Sequence, residues 1–233
     1  MNYLKLIIEN KTDKKPVRIE NSQDSASIYV YDVISADWGV SAMDVIAAIK
    51  DAGEGKTLNI HINSPGGDVF EGRAIMAAIQ SYKGKTIAKI DSLCASAATS
   101  IALSCDEVEM ADGAFFMIHN AHGFAYGDKS AMRETADVIE KVEGAIVNDY
   151  VAKTGKDEAE IRQMMNAETW MTAKEALDGG FIDRISQSKA TKNTWNLSAF
   201  EKPPQIEDTA EEPAPAGFFM SVANRNKLRL LTI

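Results

Sequence analysis

Apolar and polar positions alternate along Ser27–Ile34, SIYVYDVI, and the run is rich in β-branched and aromatic residues, so it predicts a strand. The spacing turns helical over SAMDVIAAIKDA, with Ser41 placed to cap its start and Gly53 following its end. TLNIHINS predicts a second strand, closed by Pro65-Gly66-Gly67. VFEGRAIMAAIQSY then predicts a helix, KTIAKIDSL a strand, and an Ala/Ser-rich helix follows from near Ser96. EVEMADGAFFMIHNA holds two short strands around a turn at Asp112-Gly113. A long amphipathic helix is predicted from about Lys129 to Lys153, with Met132, Val138, Ile139, Val142, Ile146 and Tyr150 near one face and Gly155 as its cap. KDEAEIRQMMN predicts another helix, and TAKEALDGGFID a short helix that ends in glycines and leads to a last strand.

Strand and helix thus alternate from residue 27 to 186, the signature of an α/β layer fold. Residues 1–26 read as an N-terminal extension. Residues 187–217 include EKPPQIEDTAEEPAPAG, rich in Pro, Ala and acid with little to bury, and predict a flexible linker. Residues 218–233 are apolar again, with basic residues and no acid, and fit either a disordered end or a short docking or assembly segment.

Composition narrows the partners. A formal net charge of −9 argues against nucleic acid or an anionic membrane, since both need a basic face. MNYLKLIIEN lacks the pattern of a secretory leader, and no run approaches the roughly 20 apolar residues of a spanning helix, so a cytoplasmic location is expected. Cys94 and Cys105, eleven apart, do not have zinc spacing and read as two buried small apolar side chains. His119 and His122 lie three apart, but no carboxylate cluster flanks them. Neither a metal nor a cofactor is expected, and with no phosphate-binding P-loop any use of ATP must come from a partner.

Three short stretches carry candidate chemistry. In INSPGGDVFEG a strand ends, Pro65 stops it, and Gly66-Gly67 permits backbone angles closed to other residues before a helix begins. Such a turn presents amides without intrahelical partners, which suit an oxyanion, although it also fits a plain strand–helix connection. In SLCASAATSIALS a strand runs into a helix that starts near Ser96. A serine there ordinarily caps or packs; its other use is nucleophilic attack, helped by the free amides and positive end of the helix. In FFMIHN a histidine ends an apolar strand, as a core residue or as a base. The three together fit a serine nucleophile with its base, which would further need an acceptor to fix the imidazole tautomer.

These stretches resemble the ClpP family of serine peptidases over about residues 27–186, and most closely its phage and prophage branch, the capsid (head) maturation proteases. INSPGG is similar to the family's oxyanion turn, SLCASAATSIALS to its nucleophile segment, FMIHNAHGFAYG to its histidine segment, and WMTAKEALDGGFID to the segment after its third catalytic residue. YDVISADWGVSAMDV looks like the phage branch. The resemblance implies Ser96 as nucleophile and His119, rather than His122 or His61, as base. It implies the backbone N–H groups of Gly67 and Ala97 as oxyanion donors. The family usually has Asp two residues before the aromatic at Trp170; here Glu168 stands there and is expected to orient His119.

The implied fold is a ClpP/crotonase-like layered spiral, with residues 129–153 as a protruding handle helix. The implied activity is endopeptidase cleavage of a protein, with capsid or scaffold protein as the expected substrate. A homo-oligomer is expected, with a ring as one form; the N-terminus differs from that of housekeeping members, so their sealed barrel and ATP-driven unfoldase are not carried over. The acidic stretch Glu201–Gly217 is a further expected site of self-cleavage. The alternatives are a housekeeping-type subunit, a crotonase-like acyl-CoA enzyme and an inactive assembly scaffold.

Overall fold

In a computed structural model, which describes residues 2–10, 17–191 and 195–204, the alternating pattern becomes one twisted sheet with helices packed on it. The strands are β1 (Arg18–Asn21), β2 (Ser25–Val30), β3 (Thr57–Ser64), β4 (Thr86–Ala95), β5 (Glu107–Asp112), β6 (Phe115–Ile118), β7 (Thr169–Thr172) and β8 (Arg184–Lys189). The helices are α1 (Tyr3–Asn10), α2 (Ala42–Ala52), α3 (Val69–Gln80), α4 (Ala97–Leu103), α5 (Lys129–Thr154), α6 (Glu158–Asn166) and α7 (Ala173–Asp178).

The main sheet runs β1-β2-β3-β4-β5-β8 and is parallel except for β1, which pairs antiparallel with β2. Its central strand changes partners along its length. Ile87–Ile90 of β4 pair with β5, whereas Leu93–Ala95 pair with β6, which carries β7 antiparallel on its far side. Burial follows this branch. Thr86–Asp91 alternate between buried and half-buried, as expected for a sheet with one covered face. Ser92 to Ala95 are buried without a break, because both faces are covered there.

On one face the helices close the large core, with Ile60, Ile62, Ile90, Cys94, Ile101, Phe116 and Phe181 inside it. On the other, Leu93, Ala95 and Met117 meet Leu6 of α1 and Leu197, Ala199 and Phe200 of the C-terminal segment. Residues 2–10 and 195–204 therefore meet behind the branch. Asn10 and Asn196 bond each other in both directions, at 2.9 and 2.8 Å, and the Asn2 amide donates to the Ala199 carbonyl at 2.8 Å.

Several expectations hold in detail. Ser41 caps α2 in a reciprocal capping box with Asp44, and Gly155 ends α5 in the left-handed conformation. Others change. The linker expected from residue 187 is partly ordered, because β8 reaches Lys189 and Leu197, Ala199 and Phe200 are buried apolar side chains. The apolar face expected along α5 is buried only near its C-terminal end, at Ile146 and Tyr150; Met132 and Val138 are exposed because the helix runs out past the body. The expected tail of residues 218–233, and residues 205–217 of the expected cleavage region, lie outside the described residues. Among the described residues no helix is long and apolar enough to cross a membrane.

Candidate active site

Ser96 sits where β4 ends and α4 begins, with φ 54° and ψ −126°. A side chain at such a positive φ costs on the order of 1–3 kcal/mol, so the surroundings must impose the turn. They do so through the Ser96 amide, which donates to the Met117 carbonyl at 3.0 Å, and through the Ser96 carbonyl, which accepts from the Thr99 amide and hydroxyl at 2.9 and 2.6 Å. The Ser96 side chain caps nothing. Its Oγ lies instead 2.8 Å from Nε2 of His119, one residue past β6. The partner switch of β4 is what makes this possible, since it sets β6 alongside the end of the strand that delivers the serine.

The glycine turn is pressed against the same elbow. Gly66 has φ +88°, and a methyl group there would stand 2.7 Å from Ser96 Cβ and 3.0 Å from the Ala97 nitrogen. Gly67 has φ +148°, and a methyl group there would stand 2.1 Å from the Ile34 carbonyl oxygen. Glycine is therefore required at both positions. The turn is bonded to Ile34 through the Gly66 carbonyl and the Asp68 amide, a pairing that leaves out the Gly67 N–H between them. The Ala97 N–H is at the first position of α4 and has no intrahelical acceptor. Gly67, Ser96, Ala97 and His119 line one cavity of about 280 Å³, with Ile146 and Tyr150 of α5 also in its wall.

His119 is buried, 7% exposed. Burial, reinforced by the neighbouring His122 and opposed by the Glu168 charge, pulls its pKa down to about 3. The ring is therefore neutral at physiological pH, as a base must be. Its Nδ1 atom is buried and has no hydrogen-bond partner among the described residues. If the base-competent tautomer forms, Nδ1 carries the proton, and an unsatisfied buried donor costs roughly 1–3 kcal/mol.

The expected bond from His119 to Glu168 is not made in this structure. Register brings the two residues close: Ile118 pairs with Thr169, and one further step along the same antiparallel register sets Glu168 opposite His119. Glu168 is buried at φ 51°, but its carboxylate accepts from the Lys202 amide at 2.7 Å, the Glu201 amide at 3.1 Å and the Trp170 indole N–H at 3.2 Å. Burial pushes the Glu168 carboxyl upward, but these three donors more than offset it and hold its pKa below the usual carboxylate value. The acid is thus ionised and faces the C-terminal segment.

The other histidines separate clearly. His61 on β3 is held by Asp91 at 2.7 Å and stacks on Tyr29. The His122 ring lies 4.9 Å from that of His119, a proximity the sequence reading did not use. The reading also missed Phe200, whose ring lies 5.9 Å from His119 and 5.2 Å from Trp170, edge-on to the latter. The signal was present in TWNLSAF, where Trp195, Leu197, Ala199 and Phe200 are spaced like a packed segment. Among the described residues no group of three His, Cys, Asp or Glu side chains is placed to hold a metal ion.

Comparison with known proteins places this fold. Residues 9–189 match the family described as Clp protease. The chain belongs to the Clp protease family. This Clp protease chain is 28% identical over 176 residues to the ATP-dependent Clp protease proteolytic subunit 1 of Protochlamydia amoebophila (strain UWE25), a match covering 73% of the chain and 85% of the relative. Its fold is similar to that of a ClpP1 point mutant from Listeria monocytogenes, with a TM-score of 0.62 and 22% identity, covering 70% of this chain and 91% of the other. The Clp protease family assignment makes this chain a serine peptidase by type and establishes the ClpP fold expected from sequence.

Proposed function

We propose that this chain is a serine endopeptidase in which Ser96 is the nucleophile and His119 its base. The observation that carries the reading is the 2.8 Å contact between Ser96 Oγ and His119 Nε2 beside the amides of Gly67 and Ala97. Ser96 Oγ attacks the scissile carbonyl carbon while its proton passes to His119 Nε2. The carbonyl oxygen takes the negative charge and is held by the two amides; losing one such donor costs about 100- to 1000-fold in turnover. His119 gives the proton to the departing amine, and water then hydrolyses the acyl-enzyme by the same route. Glu168 is the acid that orients His119 and stabilises its cation once its carboxylate turns to Nδ1.

The proposed substrate is a capsid or scaffold protein during phage head maturation, and the cytoplasm of the host is the proposed place. Support comes from the phage-branch resemblance of YDVISADWGVSAMDV. The exposed Met132 and Val138 on the projecting part of α5 suit a homo-oligomer assembled through this helix. Co-expression with the capsid protein tests the reading: discrete capsid fragments are expected with wild type and none with Ser96→Ala. Identical fragments from both proteins would overturn it.

A housekeeping role has one specific support, the likeness to a relative named as a proteolytic subunit of an ATP-dependent protease. In that case the chain would degrade folded proteins only with an ATP-driven unfoldase and would leave capsid protein uncut on its own.

A further inference from the structure

The C-terminal segment behind the branch takes the carboxylate that the histidine lacks. It is anchored at both ends of its path: the Trp195 indole donates to Asn63 at 2.7 Å, and the Lys202 ammonium donates to the Ala167 carbonyl at 2.8 Å. Between these points Phe200 wedges between Trp170 and His119. The next two amides, of Glu201 and Lys202, then close on Glu168. Opposite, His119 Nδ1 is buried with no hydrogen-bond partner among the described residues. The β6–β7 register, continued one step beyond Ile118 and Thr169, sets Glu168 across from His119, and the exchange of partners that the latch requires is a change of the Glu168 side-chain torsions.

We propose that residues 197–202 form a latch that competes with His119 Nδ1 for the Glu168 carboxylate, so that the docked segment holds the catalytic apparatus at rest and its displacement completes it. With the latch docked, the imidazole has no acceptor to favour the tautomer protonated on Nδ1. The alternative tautomer places its proton on Nε2, towards Ser96 Oγ, where the ring donates and cannot act as base. When the two amides leave, the carboxylate loses its two backbone donors, and the buried side-chain atom left without a partner among the described residues is His119 Nδ1. A docking partner, an assembly step or a cleavage that lifts this segment would switch the peptidase on. The inference rests on the serine peptidase reading of Ser96 and His119.

The test removes one latch donor and leaves the core in place. Lys202→Pro deletes the amide at 2.7 Å and continues the following Pro203 in extended backbone. Each full-length protein is treated with a fluorophosphonate; Ser96 Oγ bonds to phosphorus, fluoride leaves, and the hydroxyl proton passes to His119. Labelling of Ser96 is expected to be roughly 10- to 1000-fold faster in Lys202→Pro than in wild type, and the gain is expected to vanish in Lys202→Pro/Glu168→Gln. Phe200→Ala, which loosens the wedge without touching an amide, should give a gain in the same direction.

Crystal structures supply the readout that a purely structural segment would not move. Glu168 is expected to bond His119 Nδ1 in Lys202→Pro and the 201–202 amides in wild type. Equal or slower labelling of Ser96 in folded Lys202→Pro, or a Glu168–His119 bond in wild type with the segment docked, overturns the latch and leaves the peptidase reading intact. No labelling of Ser96 in any of the proteins overturns both.

Discussion

Ser96 Oγ and His119 Nε2 stand 2.8 Å apart although 23 positions separate them in sequence, held by the β4–β6 pairing that the bond from the Ser96 amide to the Met117 carbonyl extends. If this contact is the reacting pair, Ser96→Ala and His119→Ala should each lower the hydrolysis of a fluorogenic peptide by roughly 10⁴-fold or more. The double variant should be little worse than either single one, because the two groups act as a unit. Steady-state rates of the three variants check this, and losses that multiply would count against a shared step.

The glycines make opposite predictions at two positions. Gly67→Ala forces a methyl group against the Ile34 carbonyl at a φ of +148°, so it should destabilise the fold by at least about 1 kcal/mol and disturb the oxyanion turn as well. Gly144 lies within α5 with nothing within 4 Å of where a methyl group would be. Gly144→Ala should therefore stabilise by about 0.5–1 kcal/mol through helix propensity alone. Urea unfolding of both proteins decides the matter.

The buried imidazole gives stability a definite pH dependence. In the unfolded chain the residue 119 imidazole takes up a proton near pH 6.5, whereas in the folded chain burial holds this back to about 3. Between those values the unfolded state binds the extra proton. The stabilisation is complete above about 6.5 and is lost as pH falls through that window, with a limiting slope of about 1.4 kcal/mol per pH unit for this group. Denaturant midpoints between pH 4 and 7 should fall more steeply for wild type than for His119→Ala.

Cys94 and Cys105 are free and buried, and burial pushes the Cys105 thiol up to about 12 and the Cys94 thiol well above its usual value. A thiol-reactive disulfide reagent should modify neither cysteine in the native protein and both after unfolding, since the thiolate is the reacting form. Rapid native labelling of Cys94, two residues from Ser96, would show that the elbow opens.

The fold was legible in sequence wherever pattern and punctuation agreed. Ser41 announced α2, Gly155 ended α5, and Pro65-Gly66-Gly67 marked the turn that the structure presses against Ser96. Local spacing could not reveal that β4 pairs with β5 along one half and β6 along the other, because the choice of partner depends on residues 12 or more positions away. The arrangement of Ser96 and His119 needed both strands. The strand at Thr169–Thr172 is too short to declare itself, and α1 and β1 went unread in the N-terminal extension. Glu168 was identified by its place before Trp170, but its partner lies 34 positions away in a stretch read as linker from its Pro-rich neighbours.

The branch in the central strand also fixes where this protein can tolerate insertions. Side chains of a strand point alternately to opposite faces, so sliding β6 by a single residue along Leu93–Ala95 would turn the imidazole away from the hydroxyl. Extra residues in the outer loops leave that alignment alone. One added or deleted between Phe115 and His119 would leave every outer strand paired and still silence the enzyme.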